Sequence, residues 1–138
     1  MFQRKRSKKV ELLAKVFAHT KHAYKFGFRM LTLGWSDRNT FLPVSSVLLS
    51  TDNKKNRGNE ANAVDKRAVR YKRRQLAIQK GTAVILKLLK QAKRAEFPAK
   101  YVVFDNWFSS PSSIHAIKEI GYDVIATVKN TPKMFFRY

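Results

Sequence analysis

A chain of 138 residues is predicted to form one domain over residues 1–138, because this length can bury a core of aliphatic and aromatic side chains. Its 29 Lys and Arg against 9 Asp and Glu give a net charge of +20, which favours a polyanionic partner, with nucleic acid the leading candidate. The lack of cysteine excludes a disulfide framework and Cys-ligated zinc, and no apolar run approaches the roughly 20 residues of a membrane span, so a soluble cytoplasmic protein without a membrane partner is expected.

The first part of the chain has the weakest pattern. Residues 1–9, with the run "FQRKRSKK", are predicted to form a solvated basic arm. In the next segment, "VELLAKVFAHTKHAYK" over residues 10–25, the apolar Val10, Leu13 and Phe17 are near helical spacing. This spacing predicts a short amphipathic helix or a loosely packed loop.

Two β-rich segments follow. "FRMLTLGW" over residues 28–35 and "TFLPVSSVLLS" over residues 40–50 are apolar, and the turn-forming residues 36–39 separate them. This arrangement predicts an antiparallel hairpin. Pro43 cannot donate a backbone hydrogen bond, so we expect it at an edge or a bulge.

Charge dominates the middle of the chain. Residues 51–64 lose the apolar pattern and are predicted to form a mobile loop. From about Asp65, helix-forming residues take over, and a broad apolar stripe predicts one long helix packed on a sheet and ended by Pro98. Gly81 is the position within this segment that favours a helix least.

The segment "AKYVVFDNWFSSPSSIHAIKEIGYDVIATVK", residues 99–129, has the clearest boundaries. "YVVF" predicts a central strand covered on both faces, and "DVIATVK" predicts a second strand. Between them, Ser110 can cap a helix that starts at Pro111 and ends before Gly121. A strand, a helix and a strand in this order predict parallel strands, so the chain reads as an α/β fold with a sheet of mixed direction.

Asp105 follows the first of these strands directly. It is therefore expected at the carboxyl end of a parallel strand, the edge where open α/β sheets bind ligands. A carboxylate there can hold a hard cation such as Mg²⁺, and Trp107 and Phe108 could wall the site. The structural alternative is that Asp105 only starts the turn into the next helix by accepting backbone N–H groups.

Three segments resemble the catalytic domain of bacterial insertion-sequence transposases of the DDE type. They are "GFRMLTLGWSDRNTFLPVSSVLLS", "DKRAVRYKRR" and "YVVFDNWFSSPSSIHAIKEIGYDVIATVKNTPKMFFRY", and the "FD-x-WFSS" turn with its helix is the most specific. The resemblance implies an RNase H-like mixed sheet flanked by helices. It also implies cleavage and joining of DNA phosphodiesters by two Mg²⁺ or Mn²⁺ ions that two Asp and one Glu hold. DNA would be the partner, the transposase would assemble with copies of itself, and Asp105 matches the middle carboxylate.

The resemblance places the other two carboxylates outside this chain. The first would follow a strand just before Met1, and the Glu would lie on a helix beyond Tyr138. The fold is therefore expected to be incomplete, without its first strand and its C-terminal catalytic helix, and the chain is expected to be an interior fragment that does not cut DNA by itself. Among the acids present, nothing in the sequence orients Glu11, and the turn that holds Asp37 belongs to the opposite end of the predicted sheet.

Basic residues around the start of the predicted long helix are the expected phosphate contacts, because Arg at this density offers several forks toward phosphates. They are Lys66, Arg67, Arg70, Lys72, Arg73 and Arg74. Two functions from different classes remain open. The first is an enzyme fragment with Asp105 as a metal ligand, and the second is a non-catalytic, basic nucleic-acid-binding protein that interferes with an intact transposase.

Overall fold

The computed structural model describes residues 2–4 and 9–127, so most of the predicted basic arm and the end of the last predicted strand lie outside the described residues. The strands are β1 (Phe2–Arg4), β2 (Ala14–Ala18), β3 (Ala23–Ser36), β4 (Phe41–Leu49), β5 (Tyr101–Phe104) and β6 (Asp123–Ala126), and the helices are α1 (Val69–Ala77), α2 (Gly81–Arg94) and α3 (Pro111–Glu119). The chain divides into unit 1, residues 1–85, and unit 2, residues 86–138. None of the helices in the described ranges is long and apolar enough to cross a bilayer.

The sheet of unit 1 is organised around the long strand β3, which pairs antiparallel with β1, β2 and β4. The predicted hairpin of β3 and β4 is confirmed. Its turn is closed by Asp37, whose Oδ1 accepts the N–H groups of Asn39 at 3.0 Å and Thr40 at 2.7 Å. Pro43 lies opposite Gly34, where the register shifts, in agreement with the predicted edge or bulge.

Residues 10–25 form neither the predicted amphipathic helix nor a loosely packed loop, so that prediction was wrong; their helical residues are the single 3-10 turn His19–Lys21. They contain β2 and the start of β3. Phe17 lies opposite Tyr24, and Lys15 lies opposite Phe26. These side chains follow a period of two, and antiparallel pairing with β3 gives the backbone hydrogen bonds that a short amphipathic helix would have had to form within itself.

The core of unit 1 begins in the turn before β2. Leu12, Leu13 and Phe28 form a buried cluster, and Leu12 has a φ of 55°, which is uncommon for a residue with a side chain. Ser50 fixes this turn, because its Oγ donates to the carbonyl oxygen of Leu12 at 2.6 Å. The partly buried residues that pack on the cluster are Val10, Ala61, Ala77 and Ile78.

The predicted long helix is two helices. The carbonyl oxygen of Ala77 would accept the N–H of Gly81 in a continuous helix, but it accepts the N–H of Ser50 at 2.7 Å instead. Gly81 then begins α2, where glycine costs less than in a helix interior. The apolar stripe of α2 is buried as predicted, and the helix ends before Pro98; the buried residues are Val84, Ile85, Leu88, Leu89 and Ala92.

Unit 2 contains the predicted strand, helix and strand. β5 and β6 pair in parallel, and α3 is capped by Ser110, whose side chain accepts the N–H of Ser113 at 3.3 Å. Pro111 is the first residue of α3, and Gly121 follows it with a φ of 93°, as the sequence predicted. These strand directions and helices confirm the α/β class and are consistent with the RNase H-like prediction.

Coverage of β5 on both faces was wrongly predicted. Within the described residues β5 has one strand partner, and Tyr101 and Val103 are 51% and 72% exposed. Val102, between them, is buried. A run of four apolar residues does not by itself distinguish a half-buried strand from a fully buried one, because both faces carry apolar side chains in either case.

Residues 51–64 leave β4 and return to β2 before α1 begins. Gly58 donates its N–H to the carbonyl oxygen of Leu13 at 2.7 Å, and Arg57 forms a bridge with Ala14. These contacts hold the second part of the segment against the outer edge of β2. The mobility of this loop stays a prediction.

Replacing Gly58 with alanine should lower the free energy of unfolding by roughly 1 kcal/mol, because an added Cβ would lie 2.9 Å from Cε1 of Phe26. Urea unfolding of both proteins would measure the difference. In a Phe26→Leu background the same Gly58→Ala change should cost less, since the ring is gone. An equal cost in both backgrounds would show that the ring is not the obstacle.

Candidate functional site

Asp105 lies directly after β5, at the carboxyl end of the strand. Its Oδ1 accepts the N–H of Trp107 at 3.0 Å, and its carbonyl oxygen accepts the N–H of Phe108 at 3.4 Å. The residue therefore does start the turn toward α3, as the structural alternative predicted. The side chain is exposed, and no described residue hydrogen-bonds Oδ2, so one carboxylate oxygen is available to a cation.

Contacts of Phe108 and Ser109 fix the turn that follows Asp105. Ser109 is buried and donates its Oγ to the carbonyl oxygen of Asn106 at 3.0 Å. The Phe108 ring packs edge-on against Phe104 with centroids 6.3 Å apart. Of the two predicted wall residues, Trp107 is 67% exposed, so it can border a ligand at Asp105.

A two-metal site needs more carboxylates than this turn supplies. All 9 acidic residues of the chain lie in the described ranges. Among those residues, neither unit brings three His, Cys, Asp or Glu side chains together. Asp105 fits one ligand of a divalent ion, and the side chains present do not fit the complete site.

The six predicted phosphate-contact residues all belong to unit 1, within α1 and just before it, whereas Asp105 belongs to unit 2. Helix α1 begins without a side-chain cap and without an acid in its first turn. Cations near a helix N-terminus oppose the helix dipole, so Lys66, Arg67 and Arg70 do not stabilise the start of α1, and a bound anion would. The five with exposed side chains are Lys66, Arg67, Arg70, Lys72 and Arg73.

Arg74 is the member of the set that is engaged within the chain. Its guanidinium donates to the carboxylate of Glu11 and, at 2.8 Å, to the carbonyl oxygen of Asn62. Its side chain is 11% exposed. Arg74 therefore ties α1 to the turn before β2, whereas the other five side chains are exposed.

Glu11 was missed by sequence reasoning, since its partner lies 63 residues away. The sequence offered one indication of this role, which is that Glu11 directly precedes Leu12 and Leu13, the apolar pair that enters the core. Burial by itself raises the pKa of Glu11, but the hydrogen bonds from Arg74 and the N–H of Asn62, together with the charges of Arg74 and Arg70, outweigh it. The pKa of Glu11 is therefore lower than its usual value.

A cavity of about 480 Å³ lies between α1 and the sheet of unit 1. Arg70 and Arg73 line it beside the apolar Phe28, Leu48 and Val69. The exposed arginines thus border an apolar recess, and their aliphatic stems have a surface to rest on while the guanidinium groups stay accessible.

The Glu11–Arg74 pair should make stability depend on pH. A lowered pKa in the folded state means that the stabilisation is present above the usual value of 4.5 and is lost as pH falls through the folded pKa. Glu11→Gln should lower the free energy of unfolding by about 1 kcal/mol at neutral pH and by less near pH 3. Urea unfolding at both pH values measures this, with Glu96→Gln as the control at an exposed carboxylate. A Glu11→Gln cost that did not change with pH would contradict the assignment.

Comparison with protein families places these residues in context. A family model described as DDE superfamily endonuclease matches residues 1–138. Searches of curated proteins and of solved structures found no match. The match covers both units, the Asp105 turn and the basic start of α1. The chain therefore belongs to the DDE superfamily of endonucleases.

Proposed function

We propose that this chain is part of the catalytic domain of a transposase that cuts and joins DNA phosphodiesters in insertion-sequence transposition. The observation that carries the proposal is Asp105, an exposed carboxylate at the carboxyl end of a parallel strand in a chain that the family model covers throughout. Asp105 would supply one ligand to Mg²⁺ or Mn²⁺. When bound, such ions activate the attacking oxygen and stabilise the leaving oxygen.

The proposal includes one catalytic domain over residues 1–138 and further carboxylates outside them. The described acids support the second point, since none of them joins Asp105 in a three-ligand group within unit 2. The DNA on both sides of the reading frame can be sequenced and translated in all frames. An Asp-bearing strand upstream and a Glu-bearing helix downstream would support the proposal, and unrelated sequence on both sides would favour a non-catalytic nucleic-acid-binding protein.

The turn gives a clean test of Asp105. Asparagine keeps the oxygen that accepts the Trp107 N–H, so Asp105→Asn should leave the melting temperature unchanged. It lacks the negative charge with which a carboxylate neutralises a divalent ion, so its metal affinity should be much lower. In the chain joined to the segments that supply the other carboxylates, it should lower Mg²⁺-dependent strand cleavage by roughly a thousandfold.

The matched control is Asp37→Asn, because Asp37 also closes an exposed turn through its Oδ1. This variant should cleave within about twofold of the unchanged protein. Equal cleavage by both variants would remove Asp105 from the metal site.

We also propose that Lys66, Arg67, Arg70, Lys72 and Arg73 contact duplex phosphates. Their exposure, the uncapped start of α1 and the net charge of +20 support this. Arg74, the sixth residue predicted from the sequence, is proposed to fix the position of α1 and so to support these contacts. Assembly of the transposase with copies of itself and a cytoplasmic location stay predictions.

The double variant Arg70→Gln/Arg73→Gln should weaken duplex binding by roughly tenfold and lower the slope of log K against log salt by about 0.9 for each phosphate that the variant no longer neutralises. Fluorescence anisotropy with a labelled duplex at several salt concentrations measures both. Lys90→Gln/Arg94→Gln, on the exposed side of α2, removes the same charge and should have a smaller effect. Equal reductions in affinity would mean that net charge, rather than α1, sets the affinity.

A further inference from the structure

One face of the β2–β3 hairpin carries a row of exposed aromatic side chains. Phe17 lies directly opposite Tyr24, and Lys15 lies directly opposite Phe26. Residues opposite each other in an antiparallel pair share a face, and positions two apart along a strand share it too. These four side chains, called the aromatic face below, therefore lie side by side.

Exposure separates the aromatic face from the core. Tyr24 is 72% exposed, Phe17 38% and Phe26 39%, whereas Phe28, the next residue on the same side of β3, is 8% exposed in the Leu12 and Leu13 cluster. Packing of unit 1 explains Phe28. It does not explain why Tyr24 presents a large ring to solvent.

The rings are held in place rather than scattered. Phe17 and Tyr24 form an edge-on pair with centroids 5.3 Å apart. Phe26 lies against the backbone of Gly58, which is tied to Leu13 by a hydrogen bond of 2.7 Å. A fixed ring loses little conformational freedom when a flat ligand stacks on it.

The charge around the aromatic face is positive. Lys15 is exposed within it, and β2 and β3 contain no acidic residue. The short 3-10 helix Lys54–Asn56 carries the exposed Lys54 and ends next to Arg57, which bridges to Ala14 at the outer edge of β2. The Arg57 side chain is 8% exposed and paired with Glu60 at 3.2 Å, so Lys15 and Lys54, rather than Arg57, are exposed cations here. Phosphates are thus the groups that complement this border.

Aromatic faces beside lysines match one kind of partner. Unpaired nucleotides offer flat bases for the rings and phosphates for the lysines. In a duplex the bases are already stacked on each other and cannot reach the rings. A second copy of this chain would bring its own net charge of +20 to a basic border and be repelled.

We infer that the aromatic face binds unpaired nucleotides of single-stranded nucleic acid, with bases stacked on Tyr24 and Phe17 and a phosphate on Lys15. The inference rests on the proposed function only in that the partner is nucleic acid. It adds a single-strand site to the duplex contacts proposed for α1.

The test uses the full chain and fluorescence anisotropy with labelled oligothymidylate of about 15 nucleotides, oligouridylate of the same length, and a duplex. Tyr24→Thr keeps a strand-favouring residue but removes the ring, and it should weaken single-strand binding by roughly fivefold or more while duplex binding changes by less than about twofold. Equal binding of the DNA and RNA oligomers would show that the site reads only stacking and phosphate, and a preference would identify the source.

Three further variants separate stacking from lost structure. Tyr24→Phe keeps the ring and should bind single strands like the unchanged protein. Tyr101→Thr removes another exposed strand tyrosine, in unit 2, and should have no effect. Lys15→Gln should lower the salt slope for single strands by about 0.7. Melting temperatures of all variants show whether each one is folded.

Several outcomes would overturn the inference. They are an unchanged single-strand affinity in Tyr24→Thr, an equal weakening for duplex and single strand, or a weakening in Tyr24→Phe as large as in Tyr24→Thr. Self-association that depends on Tyr24, with single-strand binding unaffected, would assign the face to a second copy. If duplex binding depends on Arg70 and Arg73 but Tyr24→Thr changes no affinity, this inference is overturned and the proposed function stands. If the chain binds neither single-stranded nor duplex DNA, both are overturned.

Discussion

Unit 1 depends on the position of one buried serine. Ser50 donates its N–H to the carbonyl oxygen of Ala77 and its Oγ to the carbonyl oxygen of Leu12, so the end of β4, the end of α1 and the turn before β2 meet at a single residue. The left-handed backbone of Leu12 is a strained conformation that persists only where its surroundings fix it. The N–H of the same serine bonds the carbonyl oxygen of Ala77, which would accept the N–H of Gly81 in a continuous helix. This hydrogen bond separates α1 from α2.

The basic residues of α1 divide because of this arrangement. The Leu12 turn directs the neighbouring Glu11 toward Arg74, and that guanidinium becomes part of the internal structure. Arg70 and Arg73 line the same cavity but are exposed. One helix therefore carries a cation that anchors it and two cations whose side chains are exposed to solvent. A charge count alone could not separate these two roles, because the separation depends on a carboxylate far away in sequence.

Local chemistry made much of unit 2 predictable from sequence. Ser110, Pro111 and Gly121 each favour one position at a helix end, and the hairpin turn at Asp37 follows the same logic. The helix prediction for residues 10–25 failed because a few apolar residues matched the helical period by coincidence. The backbone hydrogen-bond partners of β2 lie on β3, and a local pattern does not reveal them. The location of Asp105 after β5 followed from a local sequence pattern. The available Oδ2 of Asp105 and the pairing of Glu11 with Arg74 did not, because a short stretch of sequence determines neither side-chain geometry nor long-range contacts.

Helix α2 limits how the gene can be divided. The boundary between the two units falls after Ile85, inside a helix that runs from Gly81 to Arg94. A break there would leave residues 81–85 on one product and 86–94 on the other, and segments this short do not stay helical by themselves in water. A division of the coding sequence at that point would cut α2 in both products, whereas a division within the mostly exposed residues 95–100 would cut no helix or strand.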